Sequence, residues 1–207
     1  PPRSTPLYSS AASDVYKRQV YKIKRGTARD VQIIRGLREH TDAVFRVDAN
    51  CGWAPGEAAA LSTEMAQQGV EFIEQPLPPE ARKAQAELFR NSALPLIADE
   101  NCVGEADVLQ CVDHFHGINI KLCKCGGLTP ARRMIAAARD HGLKVMVGCM
   151  AESSVGISAA AQLAPLLDYA DLDGAVLLSR DAADGVQLRQ GQLTFPDAPG
   201  LGIQSLR

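Results

Sequence analysis

The sequence has little of what would place it in several familiar classes. It contains one tryptophan, four histidines and 5% aromatic residues in 207. None of its six cysteines (Cys51, Cys102, Cys111, Cys123, Cys125 and Cys149) forms a C-x-x-C pair, and no histidine lies at zinc-finger spacing. A chain this long can bury a core, so the cysteines need not form a disulfide framework. They read as reduced thiols of a cytoplasmic protein. The formal charge is only −2, which gives no electrostatic reason to expect nucleic acid or an anionic membrane as partner. No apolar run approaches the roughly 20 residues needed to span a bilayer. With 46% hydrophobic and 22% charged residues, the remainder is an ordinary globular composition.

The first 19 residues, PPRSTPLYSSAASDVYKRQ, have no apolar period and too little hydrophobic content for a signal peptide. They resemble a translated sequencing adapter. Residues 1–19 are therefore expected to be non-native or disordered and are left out of the fold. From Val20 onward, short apolar runs alternate with helical patterns. Strands are expected at Val20–Lys24, Ala43–Asp48, Phe72–Glu74, Leu96–Asp99, Gly117–Lys121, Lys144–Gly148 and around Ala170–Leu177. Helices are expected at Thr27–His40, Pro55–Gln68, Pro79–Asn91, Gly104–His114, Thr129–His141 and Ser153–Leu167. Gly69 and Gly142 follow two of them, as helix ends require.

Alternating βα units with continuous apolar strands predict a parallel sheet covered by helices. Lys24, Asp48, Glu74, Asp99 and Lys121 each end a predicted strand, at steps of 24, 26, 25 and 22 residues. A unit of a (β/α)8 barrel takes about 25–30 residues. An open doubly wound sheet has a similar period but would not end five successive strands in charge. The fold expected is thus an incomplete (β/α)8 TIM-type barrel of about seven units, with its first strand absent. The barrel is expected over 20–184 and a C-terminal tail with a hairpin over 185–207.

Three of the strand-end charges are acids: Asp48 in RVDAN, Glu74 in IEQP and Asp99 in IADE. Acids aimed at one point repel each other unless a cation lies among them. An all-oxygen set suits a hard ion such as Mg²⁺. Any one of them alone would read more simply as a helix or turn cap. Lys22 and Lys24, in KIK, share a strand face, and Lys121 ends GINIK. Lysines pointing into a barrel must be paired or functional. The simpler reading makes them counter-ions to the acids, which does not explain why they flank the acids on both sides.

KIK, RVDAN, EQP, ADE, IKLCKCGGLTPA and VGCMAESS, in this order, resemble the muconate-lactonizing subgroup of the enolase superfamily. The resemblance runs from about Val20 to the C-terminus. It implies that Asp48, Glu74 and Asp99 bind Mg²⁺, that Lys24 and Lys121 are an acid/base pair, and that Lys22 lies near the substrate carboxylate. The DLDG segment places Asp171 and Asp173 at the last strand. There it resembles the D-x-D of dipeptide epimerases, which holds a dipeptide's α-ammonium. A bare D-x-D would read as polar residues on a turn.

The function so implied is Mg²⁺-dependent epimerisation of a dipeptide at the α-carbon next to its carboxylate. It runs by two-lysine proton transfer through an enediolate. Another subgroup enzyme, a cycloisomerase or an o-succinylbenzoate synthase, would keep metal and lysines without needing Asp171 and Asp173. A non-catalytic barrel binding module is the reading from another class. The resemblance also implies an N-terminal capping domain, absent from this sequence, on which the tail would pack. The identity of the dipeptide and activity of the segment by itself are therefore left open. A homo-oligomer is expected for the full-length protein.

Weaker candidates complete the set. Glu100 and Glu152 are expected to orient lysines or metal ligands, with solvated or capping roles as the alternative. Gly126 and Gly127 suggest a tight turn opening a helix, with an anion cradle and plain backbone geometry as equal readings. His40, His114, His116, His141 and Trp53 are assigned no chemistry.

Overall fold

The computed structural model describes residues 20–24, 29–189 and 191–206. The segment 1–19 and the start of the first expected helix, Thr27 and Ala28, lie outside the described residues. Seven parallel strands form one sheet in chain order. They are β1 (Val20–Lys24), β2 (Val44–Asp48), β3 (Val70–Glu74), β4 (Leu96–Ala98), β5 (Gly117–Lys121), β6 (Lys144–Gly148) and β7 (Tyr169–Asp171). Between them run α1 (Asp30–Arg38), α2 (Ala58–Gln67), α3 (Arg82–Asn91), α4 (Val108–Cys111), α5 (Leu122–Cys125), α6 (Leu128–Asp140) and, after β6, α7 (Ser154–Ala161). Strands such as GINIK are buried along their whole length, as a sheet covered by helices requires. Phe45, Phe115, Ile34, Met65 and Ile118 are fully buried, each worth about 1.5–3 kcal/mol.

The sheet curls into a nearly closed barrel. In a flat sheet β1 and β7 would stand roughly 29 Å apart, six strand spacings of about 4.8 Å. Instead Lys22 on β1 reaches Asp171 on β7, Nζ to Oδ2, at 3.3 Å. Lower in the barrel, Phe72 on β3 and Tyr169 on β7 stack with ring centroids 4.8 Å apart. The Arg46 guanidinium of β2 lies 5.3 and 4.8 Å from those two rings, and it pairs with Glu71 at 2.7 Å. With Ile97 and Met146 these rings form the barrel floor. The architecture is an incomplete (β/α)8 barrel, as the period of the strand-end charges predicts.

Strand register gathers those charges at one mouth. Lys24 pairs with Asp48 and Asp48 with Glu74. On the other side Lys121 pairs with Gly148 and Gly148 with Asp171. Side chains alternate along a strand. Arg46 and Phe72 therefore project onto the floor, while Asp48 and Glu74, two residues on, project into the layer above.

Several expected elements come out shorter, three of them for reasons that the contacts show. Gly104–His114 is a 3₁₀ turn at Glu105–Asp107 followed by the four residues of α4. The Asp107 carboxylate accepts the Val103 and Gly104 N–H groups at its start, and Asp113 at φ +60° ends it. Helix α7 stops at Ala161, and Pro165 sits in a separate 3₁₀ turn, Ala164–Leu166; proline has no N–H to continue an α-helix. β7 ends at Asp171 because its partner β6 ends opposite it, and a 3₁₀ turn at Gly174–Leu177 follows.

In the tail, β8 (Ala183–Asp184) pairs with β11 (Ser205–Leu206), and β9 (Gln187–Arg189) with β10 (Gln192–Thr194) as the expected hairpin. Val186 is buried and its N–H donates to Ser158 of α7, so the tail begins docked on the barrel. Among the described residues, no helix is long and apolar enough to cross a membrane.

Candidate active site

The mouth is built from ion pairs whose members come from different strands. Lys22 is almost wholly buried. Its Nζ lies 2.7 Å from Glu74 Oε2 and 3.3 Å from Asp48 Oδ2 and from Asp171 Oδ2. Burial alone would lower its pKa. The charges of Glu74, Asp171 and Asp48 outweigh that and hold it well above the ordinary lysine value. Lys24, 63% exposed, bonds Asp48 Oδ2 at 2.9 Å. Burial works to raise Asp48, but Lys22, Lys24 and the Asn50 N–H keep it below the usual aspartate value.

Across the mouth, the Lys121 ammonium donates to Asp99 Oδ2 at 2.6 Å. Burial opposes its charge, yet the bond to Asp99 holds its pKa above the ordinary value. Lys124 of α5 takes the other oxygen, Asp99 Oδ1, at 2.8 Å. Asp99 is therefore clamped by two ammonium groups.

Glu74 is the most deeply placed acid. Burial raises its pKa, and the charges of Asp48 and Asp99 raise it further against Lys22. The three acids thus feel one another. Asn119 donates to Glu74 Oε1 at 2.8 Å. Glu74 Oε2 faces the Lys22 ammonium at 2.7 Å. Among the described residues no three His, Cys, Asp or Glu side chains stand close enough to ligate one ion. Lysine ammonium groups lie between the acids instead. Three buried, mutually repelling carboxylates, whose charge is balanced here by ammonium groups, nonetheless fit a hard divalent cation in chemistry and charge.

Above this cluster opens a cavity of about 360 Å³. Its lining includes Lys22, Lys24 and Lys121 together with Asp171, Asp173, Gly174, Cys149, Met150, Ala151 and Leu177. The turn after β7 packs tightly against the loop after β6. A Cβ on Gly174 would lie 2.0 Å from the Met150 carbonyl oxygen, so only glycine fits where DLDG crosses that loop. Lys24 and Lys121 sit on strands four positions apart, halfway round an eight-place ring.

The structure thus brings the three lysines, the three acids and the DLDG pair to one mouth. Glu100 and Glu152 make contacts with neighbouring loop groups. Glu152 accepts the Met150 N–H at 2.8 Å, the capping alternative. Glu100 meets the Cys51 thiol, which burial and then the Glu100 charge push up to about 11. Trp53 is buried and donates to Asp30. Gly126 and Gly127 take φ of +93° and +111°, the turn expected there.

Three residues were missed by sequence reasoning. Lys124 and Asn119 contact the acids directly. Buried Gln75, at φ +39°, receives the Asp99 and Asn101 N–H groups on Oε1 at 3.0 and 3.1 Å and donates to the Leu77 carbonyl at 2.8 Å. The EQP motif contained that signal.

A parallel βα barrel with charges of both signs ringing the C-terminal ends of its strands has the architecture of barrel enzymes, which place their sites at that end. The chain belongs to the enolase C-terminal domain-like family, whose pattern matches residues 8–206. It is 52% identical over 187 residues to an L-Ala-D/L-amino acid epimerase of Flavobacterium johnsoniae, covering 90% of this chain and 56% of that protein. It is 56% identical over 185 residues to an L-Ala-D/L-amino acid epimerase of a Maribacter species, covering 89% and 55%. Among solved structures, a dipeptide epimerase from Methylococcus capsulatus complexed with Mg and the dipeptide L-Arg-D-Lys superposes with a TM-score of 0.85 at 33% identity, covering 97% of this chain and 63% of that one. The chain spans about half the length of the curated relatives it matches.

Proposed function

We propose that this chain is the catalytic barrel of a magnesium-dependent dipeptide epimerase, which inverts the α-carbon beside the dipeptide's carboxylate. One observation carries the reading. A single cavity is lined both by Lys24 and Lys121, on strands half a barrel apart, and by two carboxylates, Asp171 and Asp173. The names of the relatives point the same way, and favour a dipeptide that begins with L-alanine. The six free cysteines agree with a cytoplasmic location.

In this reading Asp48, Glu74 and Asp99 hold Mg²⁺. When bound, the ion supplies positive charge against the substrate carboxylate, which offsets the second negative charge that builds as the α-proton leaves. The chain's own residues do the rest. Lys22, beside Asp48 and Glu74, is placed to meet the same carboxylate. Asp171 and Asp173 receive the α-ammonium at the far rim and so fix the α-carbon between the two lysines. One lysine takes the α-proton from one face and the other delivers a proton to the opposite face, which inverts the centre. Lys121, paired with Asp99, is in the ammonium form that donates. Taking a proton in the reverse direction requires that the Asp99 charge be engaged elsewhere.

The test is a comparison of free and N-acetylated dipeptides in the presence of Mg²⁺. Acetylation removes the cation and leaves both acids without it. Charged hydrogen bonds are worth about 1.5–3 kcal/mol each, so kcat/KM should fall by about 10²-fold or more. Equal turnover of both forms would return the reading to the broader superfamily.

A further inference from the structure

Asn119 is an unexplained polar residue in the barrel interior. It lies on β5, two residues before Lys121 and so on the same face, and is 1% exposed. Its amide Nδ2 donates to Glu74 Oε1 at 2.8 Å, reaching past β4 to do so. Its Oδ1 has no hydrogen-bond partner. A buried acceptor without a donor destabilises a core, and a leucine of similar size would not carry that cost. Such exceptions concentrate where function overrides packing.

The position across the sheet is matched to it. Gly148 on β6 carries no side chain, and a Cβ there would lie 2.8 Å from both Nδ2 and Oδ1 of Asn119. The amide fills the space that a side chain at 148 would take, which locks its rotamer. Its orientation is locked too. Turned by 180°, it would aim a carbonyl at the Glu74 carboxylate. With Oε1 held by Asn119, the oxygen left over is Oε2, which faces the Lys22 ammonium at 2.7 Å.

We propose that Asn119 is a positioning residue that fixes the Glu74 carboxylate so that Oε2 faces a divalent cation, with Gly148 supplying the room for its amide. The inference rests on the metal reading above, and the experiment separates the two. Mn²⁺ binding to the intact protein is measured by electron paramagnetic resonance and calorimetry, for the unsubstituted protein and for Asn119→Leu. Thermal melts are recorded in parallel in EDTA. Residues that hold metal ligands in place typically change metal affinity by about 10–100-fold when replaced. The dissociation constant for Mn²⁺ should rise by that factor in Asn119→Leu, while the EDTA melt changes little, because the removal of the unpaired Oδ1 offsets the donor lost to Glu74 Oε1. Asn119→Ala, which removes the donor and adds no bulk, carries the same expectation for Mn²⁺ should leucine prevent folding. Gly148→Ala should weaken Mn²⁺ in the same direction by displacing the amide. Unchanged Mn²⁺ affinity in the Asn119 variants overturns the inference and leaves the metal reading standing. Weakened affinity with an equally lowered EDTA melt makes Asn119 structural and also overturns it. Absence of Mn²⁺ binding by the unsubstituted protein overturns both.

Discussion

Alanine in place of Lys121 is expected to stop epimerisation starting from one stereoisomer of the dipeptide, and alanine in place of Lys24 to stop it from the other. Each variant keeps one of two bases. Each should therefore still exchange the α-proton of the isomer its remaining lysine can reach, while failing to complete the inversion. A positioned acid or base contributes about 10²–10⁴-fold, so net epimerisation should fall at least that far. Lys121 is also the partner of buried Asp99, so alanine there could act through folding alone. Lys121→Arg separates the effects. Arginine keeps a cation beside Asp99 but cannot serve as a neutral base, and it should lose turnover as alanine does while the melt is retained. Chiral chromatography and proton NMR read both quantities. Normal turnover by Lys24→Ala would remove the two-base mechanism.

Glu74→Gln is the second substitution of large expected effect. Glutamine has nearly the same shape and can still accept the Asn119 N–H through its carbonyl. It lacks the charge that Asp48 and Asp99 oppose and that a cation would neutralise. Replacing a ligand itself should exceed the 10–100-fold typical of its supports, so Mg²⁺ affinity should fall by more than about 100-fold and turnover with it. Treatment of the unsubstituted protein with EDTA should have the same result, reversed by Mg²⁺ and not by K⁺. Turnover that survives EDTA would exclude a metal-dependent reaction.

The charged residues at strand ends were the legible part of this chain. Period and sign together give the barrel and its mouth, because a charge at the end of a buried strand has few places to go. Asp48, Glu74, Lys22 and Lys121 are at strand ends or share their faces, and the register brings them together. Asn119 was not legible, since in GINIK it looks like one polar residue on a strand. Its meaning depends on Glu74, 45 residues earlier, and on the empty side of Gly148. Lys124 was hidden because LCKC is too short to show a helical period. Glu100 and Glu152 were legible only as candidates. Each follows a strand-end motif, but their side chains turn to the Cys51 thiol and the Met150 N–H, which spacing along the chain cannot reveal.

The central claim is that a proton leaves one face of the α-carbon to one lysine and returns to the other face from a second. Epimerisation by the intact protein in D₂O, with Mg²⁺ present and a single stereoisomer of an L-alanyl dipeptide as substrate, tests it most directly. Proton NMR and mass spectrometry are followed through the first few per cent of reaction. The account predicts that the inverted product carries deuterium at the α-carbon from the first turnover, while the remaining substrate keeps its proton. Product that retains the substrate's own α-proton would contradict it, because a single base would then be removing and returning the same hydrogen.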